Sequence, residues 1–416
     1  MVGSVSRRTL VKLAGAGAAL SAARVIGAPA VWGQGTAGTI KLASVTSLSG
    51  GFARYGQELE RGIDIALDKI NAKGVKIGDR TYTIKKETFD DKTDAGTSAR
   101  LVEKAVTSDK ANMVLAGLGS VIVKASIPVA QRLQFPMMTH WAQIDGVFAG
   151  QKGNPYMYGA MPPFSYYYTR ISEMAAKFDG PKVTKAAMIT PNDELGVFTS
   201  RDYFPKDLKA AGIQLAGVEF FPPRTQEYGA ALERISRLKA EMLVINCYTP
   251  EIIGVFKEML AIGYFPPVIV VEAPTNLFES LGDAINGVFV PAFWDPSLDK
   301  TKDEFIGTSR DFAAAYKAKH NADPPDFVAA CGANNVVIYA RAMMAAGSID
   351  DPVAINKAFK AIDGETFFSG IKFGDDGLNQ KGVCYPAQFQ KGKATLVYPP
   401  EVRVAAPIHP YPGFKK

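Results

Sequence analysis

The sequence predicts an α/β fold of two doubly wound parallel-sheet units, and three observations carry that prediction. Short apolar runs alternate with helical stretches from Ile40 onward, and the alternation begins again after the tyrosine-rich connection "PPFSYYYTR". The 416 residues also exceed what one hydrophobic core usually holds. With 47% apolar and 21% charged residues, the composition is that of a globular chain rather than a disordered one.

The elements of the first unit follow in order. "IKLASV" reads as a strand, and "QELERGIDIALDKINAKG" as a helix in which Leu59, Ile63, Ala66, Leu67 and Ile70 recur at helical spacing opposite Glu60, Asp64 and Asp68. "YTIKKETF" alternates as a strand, Asp94 to Ser108 is a helix capped by Asp94, and "NMVLA" is a buried strand. Ser120 to Leu133 is a helix and "FPMMT" a strand. In the second unit "KAAMIT", "IQLAGVEF", "MLVIN" and "VIVV" are strands, separated by helices at Thr199 to Ala211, Gly229 to Ala240 and Pro250 to Ile262. Helices over "DEFIGTSRDFAAAYKAKH", "FVAACGANNVVIYARAMMAAG" and "PVAINKAFKAI" are expected to complete the first unit, with few strands after them.

The first thirty-odd residues stand apart. "SRRTLVK" leads into a weakly apolar run that ends in the cleavage pattern Ala28-Pro29-Ala30, so residues 1–38 read as a twin-arginine export signal and the protein as periplasmic. Arg24 and the glycines leave that run short of the ~20 apolar residues a spanning helix needs. Of the net charge of +6, four units belong to Arg7, Arg8, Lys12 and Arg24 of the leader, leaving +2. No basic run remains to recruit nucleic acid or an anionic membrane. Cys247, Cys331 and Cys384 are odd in number and widely spaced, which argues against a metal or redox pair and predicts three buried free thiols, with one disulfide as the alternative in an oxidising compartment.

In sheets of this kind ligands gather outside the carboxyl ends of the strands, so the turns that follow each strand are the places to inspect. "MVLAGLGSVIVKASIPVAQRL" joins a strand, a glycine turn and a helix, and so sets free N–H groups and a positive helix end at one spot. The phosphate-loop pattern and the third glycine of a dinucleotide fingerprint are missing, which disfavours a nucleotide and leaves no cofactor implied. There is no H-E-x-x-H, no G-x-S-x-G and no paired histidine at metal spacing among His140, His320 and His409. "DDKTDAG" fails the calcium-loop template and reads as a solvated loop, and "FGDDGLNQKG" reads as a turn.

The block "IKLASVTSLSGGFARYGQELERGIDIALDKINAKG" and the order of the turns resemble the branched-chain amino-acid-binding class of periplasmic solute receptors that serve ATP-driven importers, from about Thr39 to the C-terminus. The resemblance implies two type I periplasmic lobes joined by a hinge: residues 39–161 with 296–374, and 162–295 with 375–416. It implies a monomeric receptor, not an enzyme, that captures a small amino acid between the lobes and hands it to a membrane permease. Ser120 matches the family serine that meets the ligand carboxylate, Glu272 the acid that pairs with its ammonium group, and Tyr55 and Tyr248 two family aromatics. Trp141, Ala142 and Gln143 stand where two small residues and a threonine bind the amino-acid head, and Leu195 where tyrosine is common. Of these only Ala142 keeps the family residue type, so a non-amino ligand, an aromatic or aliphatic carboxylate or an amide, is the second reading. For Glu272 the alternative is an ion pair with a structural lysine or arginine. A secreted α/β enzyme using His140 with Glu272 is the third reading.

Overall fold

The computed structural model describes residues 38–179, 182–272 and 277–413. The first sheet contains β1 (Gly38–Thr46), β2 (Val75–Ile77), β3 (Arg80–Asp90), β4 (Met113–Ala116), β5 (Met137–Met138) and β6 (Met157–Tyr158). To the second belong β7 (Lys185–Pro191), β8 (Gln214–Phe221), β9 (Met242–Ile245), β10 (Val268–Val271) and β11 (Phe289–Ala292). Two short ribbons, β12 (Lys302–Asp303) with β13 (Gly307–Thr308) and β14 (Asp363–Glu365) with β15 (Gly370–Lys372), precede β16 (Tyr385–Gln390) and β17 (Lys393–Leu396). The strand orders are β2-β3-β1-β4-β5-β6 and β17-β16-β11-β10-β9-β7-β8.

These orders locate the site before any side chain is considered. In the first sheet the chain steps from β1 to β3 on one side and to β4 on the other, and in the second from β7 to β8 and then back across to β9, all in parallel pairs. Each sheet therefore has a switch point, where successive helices turn to opposite faces and leave a crevice at the strand ends. Strands β4, β9, β10 and β11 are buried at every residue, as expected of short apolar strands covered on both faces.

Three helices of the first unit matter here: α1 (Ala53–Lys73), α2 (Ala95–Thr107) and α3 (Ser120–Leu133). The periodic face of α1, Leu59, Ile63, Ala66, Leu67 and Ile70, is buried. Glycines let this helix approach backbone directly. A Cβ on Gly62 would lie 1.7 Å from the carbonyl oxygen of Ala329, and one on Gly332 only 2.3 Å from that of Leu59, so α1 and the helix Val328–Ala346 cross with main chain against main chain. Asp94 caps α2 by accepting from the Thr97 N–H at 2.7 Å. Asp90 and Asp91 of the same acidic stretch accept from the N–H groups of Leu48, Lys92 and Thr93 and so brace the loop.

The structure corrects several expectations. The helix expected from Asp303 begins at Ser309, because the buried Asp303 carboxylate accepts from the N–H groups of Phe305, Ile306 and Phe367 and organises a ribbon, while Thr308 and Asp311 form a capping box. The helix expected over Thr199 to Ala211 starts earlier, at Glu194, and carries a π-turn, Thr199–Tyr203, just ahead of Pro205, which has no N–H to continue the α ladder. The hairpin strand β2 and the antiparallel edge β16–β17 were not expected, so the sheets are mainly, not wholly, parallel. Residues 1–37, and with them nearly all of the expected export signal, lie outside the described residues. Among the described residues no helix is long and apolar enough to cross a membrane.

Candidate functional site

The turns that leave both sheets meet in one cavity. From the first come Phe52 and Tyr55 after β1, Leu118, Gly119 and Ser120 after β4, and Trp141, Ala142, Gln143 and Ile144 after β5. The second contributes Leu195 after β7, Tyr248 after β9 and Glu272 after β10, and the connecting segment adds Phe164 and Tyr167. Every residue singled out from the sequence as a ligand contact is in this wall. The space between the lining atoms is about 380 Å³, of which about 30 Å³ admits the centre of a water molecule, room for about two. A wider groove, about 2310 Å³ between its lining atoms, is bordered by Lys92, Arg224, Asp193 and Glu251 and adjoins it, and Phe52 and Tyr248 belong to the walls of both. Their rings pack 4.6 Å apart.

One end of the cavity is built for a negative charge. Gly117 and Gly119 hold φ of +84° and +85°, a conformation that side chains rarely adopt, and a Cβ on Gly119 would also lie 2.7 Å from the Phe52 ring. The Gly119 N–H is donated to the Trp141 carbonyl at 2.9 Å, which pins the turn after β4 to the turn after β5. Gly119 is the N-cap of α3 and supplies no capping side chain, so the first N–H groups of this 14-residue helix are left to the space beside Ser120.

The opposite character belongs to Glu272. Its side chain is 4% exposed, Oε1 accepts from the Tyr167 hydroxyl at 3.3 Å, and Oε2 has no partner. No lysine or arginine pairs with it among the described residues, so the structural ion pair weighed above is not formed. Burial, aided by the charge of Glu251, pushes its carboxyl up to about 8. The same wall holds both amide atoms of Gln143, itself 2% exposed, without a partner, and the Tyr248 hydroxyl close to the Ser120 hydroxyl and N–H.

Aromatic rings fix the remaining surface. Trp141 is held edge-on between Tyr55 at 5.2 Å and Phe327 at 5.1 Å, and Tyr167 stacks on Phe164 at 4.1 Å. The Tyr55 hydroxyl hydrogen-bonds the Thr249 hydroxyl and accepts from the Thr249 N–H at 3.0 Å, capping the first residue of the helix Thr249–Ile262 from the other sheet's side. Lys124 with Glu194 at 2.6 Å and Arg54 with Glu279 at 3.4 Å also run across the cleft.

His140 lies elsewhere. It is fully buried, its Nε2 is 3.1 Å from the Ser44 hydroxyl, which also bonds Glu60, and burial pulls its pKa down to about 4. It is not part of the cavity wall, so the enzyme reading, which pairs it with Glu272, lacks its geometry. Cys247, Cys331 and Cys384 are free and buried. Among the cavity residues, sequence reasoning missed Phe52, Leu118, Gly119, Ile144, Phe164 and Tyr167. The first three sit in turns marked for inspection, and Ile144 directly follows one. Phe164 and Tyr167 sit in "PPFSYYYTR", whose aromatic density was the available signal.

Comparison with known proteins agrees with this arrangement. A Leu/Ile/Val-binding protein homolog from Brucella abortus is 23% identical over 372 residues, covering 86% of this chain and 91% of the relative. The branched-chain amino acid transporter substrate binding protein LivJ from Streptococcus pneumoniae, solved with isoleucine, superposes with a TM-score of 0.72 at 22% identity, covering 89% of this chain and all of that one. A solute binding protein of an ABC transporter from R. palustris, solved with 4-hydroxybenzoate, gives 0.70 at 18% identity, covering 86% and 95%. All three are named for binding or transport rather than catalysis. The sequence model of the periplasmic binding proteins matches residues 39–394, which takes in both sheets and every residue of the cavity wall; this chain therefore belongs to the periplasmic binding protein family, extracytoplasmic receptors that bind small molecules and work with ABC permeases.

Proposed function

We propose that this protein, exported by its twin-arginine leader, captures a small amino acid, branched-chain, neutral or aromatic, in the cavity between its lobes and delivers it as a monomer to the permease of an ABC importer. The observation that carries the reading is Glu272, a buried carboxylate with a free oxygen and no cationic partner, in the same cavity as the uncapped start of α3. A lone buried carboxylate is costly unless a cation meets it, and a zwitterion brings that cation together with a carboxylate for Ser120 and the α3 N–H groups. The lobes are assigned residues 39–161 with 296–374 and 162–295 with 375–416. Closure about the connecting segments is the event the permease reads.

The lining of Phe52, Tyr55, Trp141, Phe164, Tyr167 and Tyr248 favours one second reading, an aromatic carboxylate. Glu272 is then protonated and donates to the ligand. A thermal-shift screen of the purified protein with neutral amino acids, aromatic acids, aliphatic acids and amides tests both. Ligand at 100 times Kd stabilises by about 2.7 kcal/mol. A shift with amino acids supports the first reading. A shift only with acids that lack an amine sinks it and supports the second, and a silent screen counts against both.

A further inference from the structure

Gln143 stands where the resemblance places the threonine that meets the amino-acid head, but its longer amide is not needed by either charged end of the ligand. A zwitterion uses the α3 N–H groups with Ser120 at one end and Glu272 at the other, and an aromatic acid uses the same two places. The Gln143 side chain is nonetheless 2% exposed, in the wall of the cavity, with its Nε2 and its Oε1 both buried and both without a hydrogen-bond partner. Its backbone is engaged, the carbonyl accepting from the Phe164 N–H at 2.8 Å, so the residue is held while its amide is not. Buried amides are almost always satisfied, and one that leaves two donors and an acceptor unpaired in the cavity wall penalises any ligand that cannot answer it.

We infer that Gln143 is a specificity-determining residue that selects ligands carrying, beyond the charged head, a neutral group that both donates and accepts hydrogen bonds, a carboxamide or a hydroxyl. This rests on the receptor reading given above but not on which head group is bound. A purely aliphatic or unsubstituted aromatic ligand buries the amide unsatisfied. A carboxamide or hydroxyl gives it a partner for donor and acceptor alike.

The test uses pairs of nearly equal shape: leucine against asparagine, and 4-methylbenzoate against 4-hydroxybenzoate, each titrated calorimetrically into the purified protein. The polar member of the pair that binds is expected to be roughly 10- to 100-fold tighter, the cost of one buried polar group left unpaired. In Gln143→Leu and Gln143→Met, the second keeping the unbranched shape, that preference is expected to collapse or reverse. Melting of the ligand-free variants shows whether each is folded. Equal or tighter binding of the apolar member by the wild-type protein overturns the inference and leaves the receptor reading standing, as does an unchanged preference in both folded variants. Absence of binding by all four compounds overturns the inference, and the receptor reading then stands or falls on the wider thermal-shift screen.

Discussion

Glu272→Gln is expected to stabilise the ligand-free protein while weakening its grip on amine-bearing ligands. In the folded chain the carboxyl titrates at about 8, against an ordinary 4.5 when the chain is unfolded, because burial penalises the charged form. Between those values the unfolded state has released its proton and the folded state keeps it. Stability is therefore full below about pH 4.5 and is lost as the pH rises, until the folded carboxyl too has ionised. At 1.36 kcal/mol per unit the loss reaches about 3 kcal/mol at pH 7 and about 5 kcal/mol beyond pH 8. Glutamine keeps the shape and carries no charge. The variant is expected to melt with wild type at pH 4.5 and on the order of 5 °C higher at pH 7. The assay is a melting series from pH 4.5 to 9 on both proteins without ligand. Parallel curves at every pH would refute the idea of a buried, uncompensated carboxyl. With an amino acid present the order reverses, since the variant leaves an ammonium group unpaired and loses roughly 100-fold or more in affinity.

Other consequences can be checked with similar means. At pH 7 the capture of an ammonium-bearing ligand is expected to expel about one proton from Glu272, seen as a binding enthalpy that changes with the ionisation enthalpy of the buffer; a carboxylate without an amine is expected to expel none. Ser120→Ala is expected to cost about tenfold in affinity for any carboxylate ligand, with no change in the melting of the free protein. Tyr55→Phe, which removes the bond to Thr249, is expected to raise Kd about fivefold, mostly by faster dissociation measured by stopped flow. Gly62→Ala is expected to destabilise by about 3 kcal/mol, read as a lowered Tm, whereas Gly364→Ala, where a Cβ meets nothing within 4 Å, leaves it unchanged.

What could be read from the sequence depended on how local the cause was. The start of α3 was legible because Gly117 and Gly119 break the chain before it, whereas the left-handed Gln134 that ends it is seen only in the structure. β16 and β17 were not legible, because "YPAQFQ" and "KATL" hold few β-branched residues, and the ribbon they form joins the sheet only through β11, over ninety positions before β16. The helix over-extended at Asp303 had the right periodicity but lost its first turns to a carboxylate whose partner, Phe367, lies far along the chain. For the cavity, residues that directly follow strands were accessible through the topology rule. Phe164 and Tyr167 follow no long strand and were marked only by the aromatic density of their segment, and the bond between Tyr55 and Thr249 joins positions 194 apart, so nothing local announces it.

The crossing of α1 with the helix Val328–Ala346 has a reach greater than its own contacts. α1 is a rod that carries Tyr55 seven residues before Gly62, about 10 Å along its axis. The closeness that Gly62 and Gly332 permit acts as a fulcrum. Any bulk added there pries the rod outward and carries the Tyr55 hydroxyl with it, and about 1 Å of travel is enough to break a hydrogen bond. Substitutions at a buried crossing far from the solute would then be met first as altered uptake, in chains that still fold.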